Sequence, residues 1–172
     1  TTWKLTLKDS ITFSNGKKVT GENVKSCLER AFEKNTRAID YFDLNHVEAK
    51  GQDIYLYLNK SSGAILNNLC EPLFTIYDAS QSEEDIAKHP LCTGPFVEDD
   101  LVSEKTIDTS KNKKYYDGKA KLDHVHFSQV TDSDARVLAL QSGEVDLANT
   151  IDYSSLKLFR NNKDYQVLEV LG

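Results

Sequence analysis

The chain has 172 residues, 39% of them hydrophobic and 28% charged, which suits one ordinary folded domain or two small ones and argues against disorder. Its 27 acidic residues outnumber 21 basic ones for a net charge of −6. No basic stripe is offered to a phosphate backbone, so nucleic acid is not an expected partner. No apolar run approaches the roughly 18–20 residues that a membrane span needs.

Trp3, Leu5 and Leu7 alternate with Lys4, Thr6 and Lys8, the period-two pattern of a half-buried strand. Ile11 and Phe13 continue it towards Asn15-Gly16, a tight-turn signal. Thr20 is placed to cap a helix, and Glu22 to favour the positive end of its dipole. Val24, Cys27, Leu28, Ala31 and Phe32 then fall at i, i+3, i+4, i+7 and i+8, one apolar stripe of an amphipathic helix. That stripe is expected to bury against the sheet carrying Trp3, Leu5 and Leu7. Val47 and Ala49, then Ile54, Leu56 and Leu58, read as a hairpin turning at 50–53. Ile65, Leu66 and Leu69 predict a short helix ended by Pro72. Phe74 to Tyr77 reads as a strand and 79–90 as a polar connector closed by Pro90. Strands are expected near 96–102, 104–109 and 122–130. Asp132-Ser133 should cap a helix through Leu140, with Gly143 ending it. A strand at 145–147, a helix near 153–160 and a strand near 165–171 complete the chain. Strands and helices alternate without repeats, so the class is mixed α/β.

Candidate chemistry is sparse. His124 and His126 share one side of a predicted strand, but two donors do not make a stable metal site, which needs three or four. Glu83-Glu84-Asp85 and Asp99-Asp100 read as solvated acidic faces without the spacing of a calcium loop. Phosphate-cradling glycine motifs and a nucleophile elbow are missing. The three cysteines, Cys27, Cys70 and Cys92, form no C-x-x-C pair. Cys27 reads as a small core residue. Cys70 and Cys92 could pair in an exported protein. No methionine occurs and the chain opens on Thr1-Thr2-Trp3, which reads as a piece of a longer protein whose leader is not present here.

Four stretches, in order, carry a resemblance. Trp3 to Asp9 leads to Phe13-Ser14-Asn15-Gly16 and Val19-Thr20-Gly21-Glu22-Asn23-Val24, ending in Leu28-Glu29-Arg30. Thr93-Gly94-Pro95-Phe96 follows, then Lys113-Lys114-Tyr115-Tyr116-Asp117-Gly118-Lys119. Last comes Asp132 to Arg136 with Ala139-Leu140-Gln141-Ser142-Gly143-Glu144-Val145-Asp146. Together they resemble the family 5 extracellular solute-binding proteins that feed peptide and nickel ABC importers. Cys92 stands where that family commonly has Gly, and Tyr116 where it has Trp.

The resemblance implies part of the first lobe of a type II periplasmic-binding-protein fold. Residues 1–90 would form a small α/β subdomain of that lobe and 91–172 part of its hinge-bearing portion. It implies capture of an oligopeptide or a nickel complex between two lobes that close on a hinge, and delivery to a membrane permease. The protein is then a monomer outside the cytoplasm, with no catalysis and no cofactor. Arg37, Tyr41, Phe42, Thr75 and Tyr77 are its implied ligand contacts. A second arginine is expected near Thr75, and the sequence has none there. The rival reading is a hydrolase or transferase using a pocket acid such as Asp78 or Asp99, although no nucleophile–base–orienter set is spelled out.

Overall fold

The structure is a computed structural model that describes residues 1–103 and 105–169. Its described residues form two three-stranded sheets, the first antiparallel throughout, with short helices between and after them, and divide into two compact units between His126 and Phe127. The mixed α/β class holds.

The first sheet is built from β1 (Thr2–Thr6), β2 (Leu44–Lys50) and β3 (Asp53–Leu58), in the order β1-β3-β2. Trp3 lies opposite Leu56 and Leu5 opposite Ile54. The alternation predicted for β3 places Ile54, Leu56 and Leu58 in the core, each at most 5% exposed. Helix α1 (Gly21–Lys34) begins in a capping box, with Thr20 Oγ1 accepting from Asn23 N and Asn23 Oδ1 accepting from Thr20 N, which satisfies two backbone donors at that end. Its stripe of Val24, Cys27, Leu28 and Ala31 is buried, while Phe32 is half-buried. The helix packs, as expected, on the sheet that carries Trp3, Leu5 and Leu7, mainly across β2 and β3. β1 is an edge strand beyond β3, so Trp3, Leu5 and Leu7 join the core from its margin, partly buried.

Helix α2 (Ala38–Tyr41) was not signalled by periodicity, because four residues are too short to display a period. Helix α3 (Ile65–Asn68) leads to a 3₁₀ turn at Pro72–Phe74. Pro72 opens that turn rather than ending the region, since proline suits a first helical position. The strand expected over 74–77 reduces to an isolated bridge, Tyr77 to Cys92. The connector at 79–90 contains α4 (Glu83–Lys88), capped by Ser82 accepting from Asp85 N.

The second sheet holds β4 (Phe96–Ser103), β5 (Thr106–Lys111) and β6 (His124–Ser128), in that order; residue 104 of the expected 104–109 strand lies outside the described residues. In the C-terminal unit, α5 (Ser133–Ser142) is capped by Asp132, which accepts from Ala135 N, and ends at Gly143 with φ +75°. Helix α6 (Tyr153–Arg160) follows as expected. Residues 145–147 and 165–169 are not strands; residues 170–171 of the latter expectation lie outside the described ones. No helix among the described residues is long and apolar enough to cross a membrane.

Candidate functional site

Phe74 gathers three of the five expected contact residues into one neighbourhood. Its ring lies 5.7 Å from that of Tyr41, 5.0 Å from Phe42 and 5.9 Å from Phe32, and Phe32 meets Phe42 edge-on at 5.1 Å. These separations fall in the favourable range for aromatic pairs. The C-terminal turn of α1 supplies Phe32, the end of α2 supplies Tyr41 and Phe42, and the 3₁₀ turn supplies Phe74 immediately before Thr75. The Asn68 amide donates to Tyr41 O, tying α3 to the same corner.

The five residues differ in what they present. Arg37 is exposed at the start of α2, its backbone N–H donating to Asn35 Oδ1 at 2.9 Å, and its guanidinium has no acceptor among the described residues. Tyr41 is half-buried. Phe42 is 4% exposed, with its ring against Phe32 and Phe74; in this structure it backs the corner and offers almost no surface. Thr75 is exposed, and its hydroxyl donates to Pro72 O at 2.7 Å. Tyr77 is half-buried, and burial pushes its phenol up although the neighbouring Arg30 pulls the other way. Among the described residues, no ring contact, hydrogen bond or ion pair joins Arg37 or Tyr77 to the aromatic cluster. Phe74, which organises the corner, carried no signal beyond its apolarity.

Asp78, the rival reading's acid, is already saturated. It is 3% exposed, and its carboxylate accepts from Lys17 Nζ at 2.9 Å, Ser80 Oγ at 2.7 Å and Ser80 N at 3.1 Å. Burial alone would raise its pKa, but the donors from Ser80 and Lys17 win and hold it below the usual carboxylate range. Asp99 is exposed and accepts from Ser110 Oγ. Neither carboxylate stands beside an assembled nucleophile and base. His126 pairs with Asp108 across β5 and β6, and among the described residues no group of three or more His, Cys, Asp or Glu gathers as a metal site.

Three of the four sequence stretches meet at one junction. Ser14 N donates to Cys92 O, Lys114 Nζ to Asn15 O, and Asn112 Nδ2 to Gly94 O, at 2.8–2.9 Å. Asn112 is 5% exposed and its N–H also donates to Pro95 O. Gly16 takes φ +91°, a conformation that side-chain-bearing residues rarely adopt, and the end of the Lys114 side chain lies over it. The junction consists of backbone N–H groups and side chains donating to backbone carbonyls, which is scaffold chemistry. All three cysteines are free. Cys70 donates to Leu66 O from an exposed helix end, while Cys92 lies near Cys27 and Glu98, and burial pushes its thiol up.

The C-terminal unit has its own tie. Arg136 Nη1 donates to Val130 O and Thr131 O, and Nη2 donates to Thr150 O, at 2.8–3.0 Å. Beside it lies a cavity of about 340 Å³ whose wall includes Gln129, Ala139, Leu147 and Asn149.

The chain is similar to known proteins along its whole length. The family of bacterial extracellular solute-binding proteins, family 5 (middle), matches residues 1–172. The nickel-binding protein NikA of Staphylococcus aureus is 32% identical over 172 residues, covering 100% of this chain and 35% of that protein. Its crystal structure in complex with Ni(L-His)2 superposes with a TM-score of 0.85 over 95% of this chain and 35% of that one. A nickel ABC transporter structure from Bacillus halodurans gives a TM-score of 0.84 at 30% identity over 94% of this chain and 34% of its own. The glutathione-binding protein GsiB of Salmonella typhi is 27% identical over 179 residues, 97% of this chain and 34% of that protein. The chain thus spans about a third of the length of the curated relatives it matches.

Proposed function

Because the chain belongs to family 5 of the bacterial extracellular solute-binding proteins, we propose that it is part of the receptor that captures a nickel complex or an oligopeptide for an ABC importer. The observation that carries this reading is the match to Staphylococcus aureus NikA along the whole chain, at 32% identity and a TM-score of 0.85. Arg37, Tyr41, Phe42, Thr75 and Tyr77 form one wall of the ligand cleft in this reading. An exposed guanidinium with no acceptor among the described residues suits an anionic chelate or a peptide carboxylate, because the guanidinium fork matches carboxylate geometry. Phe42 contributes from behind Tyr41 and Phe74.

The receptor works by binding and closure, without chemistry on its cargo, and needs no cofactor of its own. The first sheet and its helices end at residue 88 and the second sheet begins at 96, which supports a small subdomain over 1–90 and a hinge-bearing portion from 91. The receptor acts as a monomer in the periplasm or as a surface lipoprotein, and hands its cargo to a membrane permease.

Calorimetry of the full-length protein, titrated with Ni²⁺ plus L-histidine and separately with glutathione, tests the reading. Saturable binding of one of these, weakened about tenfold or more by Arg37→Ala, is expected, since a charge-assisted pair contributes roughly that much. Absence of binding to both, or an Arg37→Ala variant that binds as wild type, would overturn the ligand or the wall respectively. The 172-residue chain alone should bind orders of magnitude more weakly, since a single wall cannot bury the 70–90% of a ligand that pockets typically enclose.

A further inference from the structure

Tyr77 has a sheet neighbour on one edge only. It pairs with Cys92 in an isolated antiparallel bridge, and the ladder bond beside it runs from Asp78 N to Leu91 O at 2.9 Å. In such a pair the N–H and C=O of the residue itself point to the opposite edge. Among the described residues no strand stands there. The Cys27 thiol does: it donates to Tyr77 O at 3.2 Å and accepts from Tyr77 N at 3.5 Å.

Cys27 is 3% exposed on the buried stripe of α1, so water cannot replace it at Tyr77. Burial pushes its thiol pKa up, which keeps the proton needed for donation. The run it touches is anchored at both ends. Thr75 N donates to Pro72 O at 3.2 Å, and Asp78 is held by Lys17 and Ser80. Between those anchors, the peptide groups of Tyr77 facing α1 depend on this one side chain.

We propose that Cys27 is a positioning residue for ligand capture, its thiol standing in for a missing strand and fixing Thr75 to Tyr77 against α1. This rests on the reading that Thr75 and Tyr77 line the ligand wall. Cys27 touches no ligand; it acts through the Tyr77 backbone. A residue that both donates and accepts at this place can do the same work, and serine is the small side chain that does so. Alanine leaves the part-buried N–H and C=O of Tyr77 without their partner, and the run regains freedom that binding must then remove.

The test uses full-length protein with Ni²⁺ plus L-histidine as the probe, comparing wild type, Cys27→Ala and Cys27→Ser by calorimetry. Melting temperature and hydrogen exchange at the Tyr77 amide are followed alongside. The expected result is affinity weakened about tenfold in Cys27→Ala and restored to within about threefold in Cys27→Ser, as orphaning and re-pairing these peptide groups imply. Protection of the Tyr77 amide should fall and recover in step. Wild-type affinity in Cys27→Ala, whatever its melting temperature, overturns the proposal and leaves the ligand wall standing. Equal weakening in both variants also overturns it, because the hydrogen bonds are then not the cause. If the wild-type protein does not bind the nickel–histidine probe, the same comparison is made with glutathione, and a wild type that binds neither removes the ligand reading and this proposal with it.

Discussion

Lys17 Nζ lies 2.9 Å from Asp78 Oδ2, with the lysine side chain half in solvent and the carboxylate almost wholly buried. The pair joins the Asn15-Gly16 turn to the run that carries Thr75 and Tyr77. Ser80 supplies the remaining donors, so the buried charge is compensated on more than one side. Removing either partner has different consequences, and they can be separated.

Lys17→Ala should destabilise the fold by about 1–3 kcal/mol in urea denaturation, because it strips a donor from a buried carboxylate. The exposed lysine side moderates the loss. The pH dependence follows from the lowered pKa of Asp78. A group depressed in the folded state contributes its stability above its unfolded pKa, about 3.9 for aspartate. That contribution drains away as pH falls through the lower folded value. Wild type should therefore lose stability below about pH 4, and Asp78→Asn should lose less over the same acid range. An unchanged acid slope in Asp78→Asn would show that other carboxylates govern it.

Phe74 is 3% exposed and touches three rings, so Phe74→Ala should cost about 3–5 kcal/mol. Phe32 is only half-buried, and Phe32→Ala should cost less than Phe74→Ala. Equilibrium denaturation of both variants checks the order; the reverse order would mean that the aromatic corner is organised around α1 rather than the 3₁₀ turn.

Arg136 holds three carbonyls from two chain segments with one planar fork. A lysine has the charge without the fork. Arg136→Lys should therefore raise hydrogen exchange near 130–132 and 149–151 with little change inside the first sheet. Uniform exchange across the chain would instead indicate global unfolding.

Gly143 sits at φ +75° with open space around the position of a Cβ. Gly143→Ala meets no neighbour, so its whole cost is backbone strain, about 1–2 kcal/mol. A loss near zero in thermal denaturation would mean that the end of α5 can re-form without the left-handed residue.

Local features were legible where the chemistry is local. The period of α1 is written in Val24, Cys27, Leu28 and Ala31, and its start in Thr20, because capping and amphipathicity need only residues within one or two turns. Asp132 and Gly143 bracket α5 for the same reason. The alternation of Ile54, Leu56 and Leu58 marked a buried strand, and the ordered stretches from Trp3 to Asp146 marked the family.

Partners distant in sequence were decided only by the tertiary structure. Alternation at Trp3, Leu5 and Leu7 identifies a strand without saying which neighbour it has, so the packing of α1 on this sheet could be read but the edge position of β1 could not. The pattern Val145-Asp146-Leu147 alternates as a strand would, yet Leu147 is 80% exposed and the segment pairs with no strand among the described residues. A strand exists only through hydrogen bonds to another segment. The same holds for the candidate wall. Cys27 and Tyr77 are 50 residues apart, as Lys17 and Asp78 are 61, and each contact closes a loop whose ends nothing in the intervening sequence identifies. Periodicity showed that Cys27 is buried; the fold decided that its thiol meets a peptide group that would otherwise lack a partner.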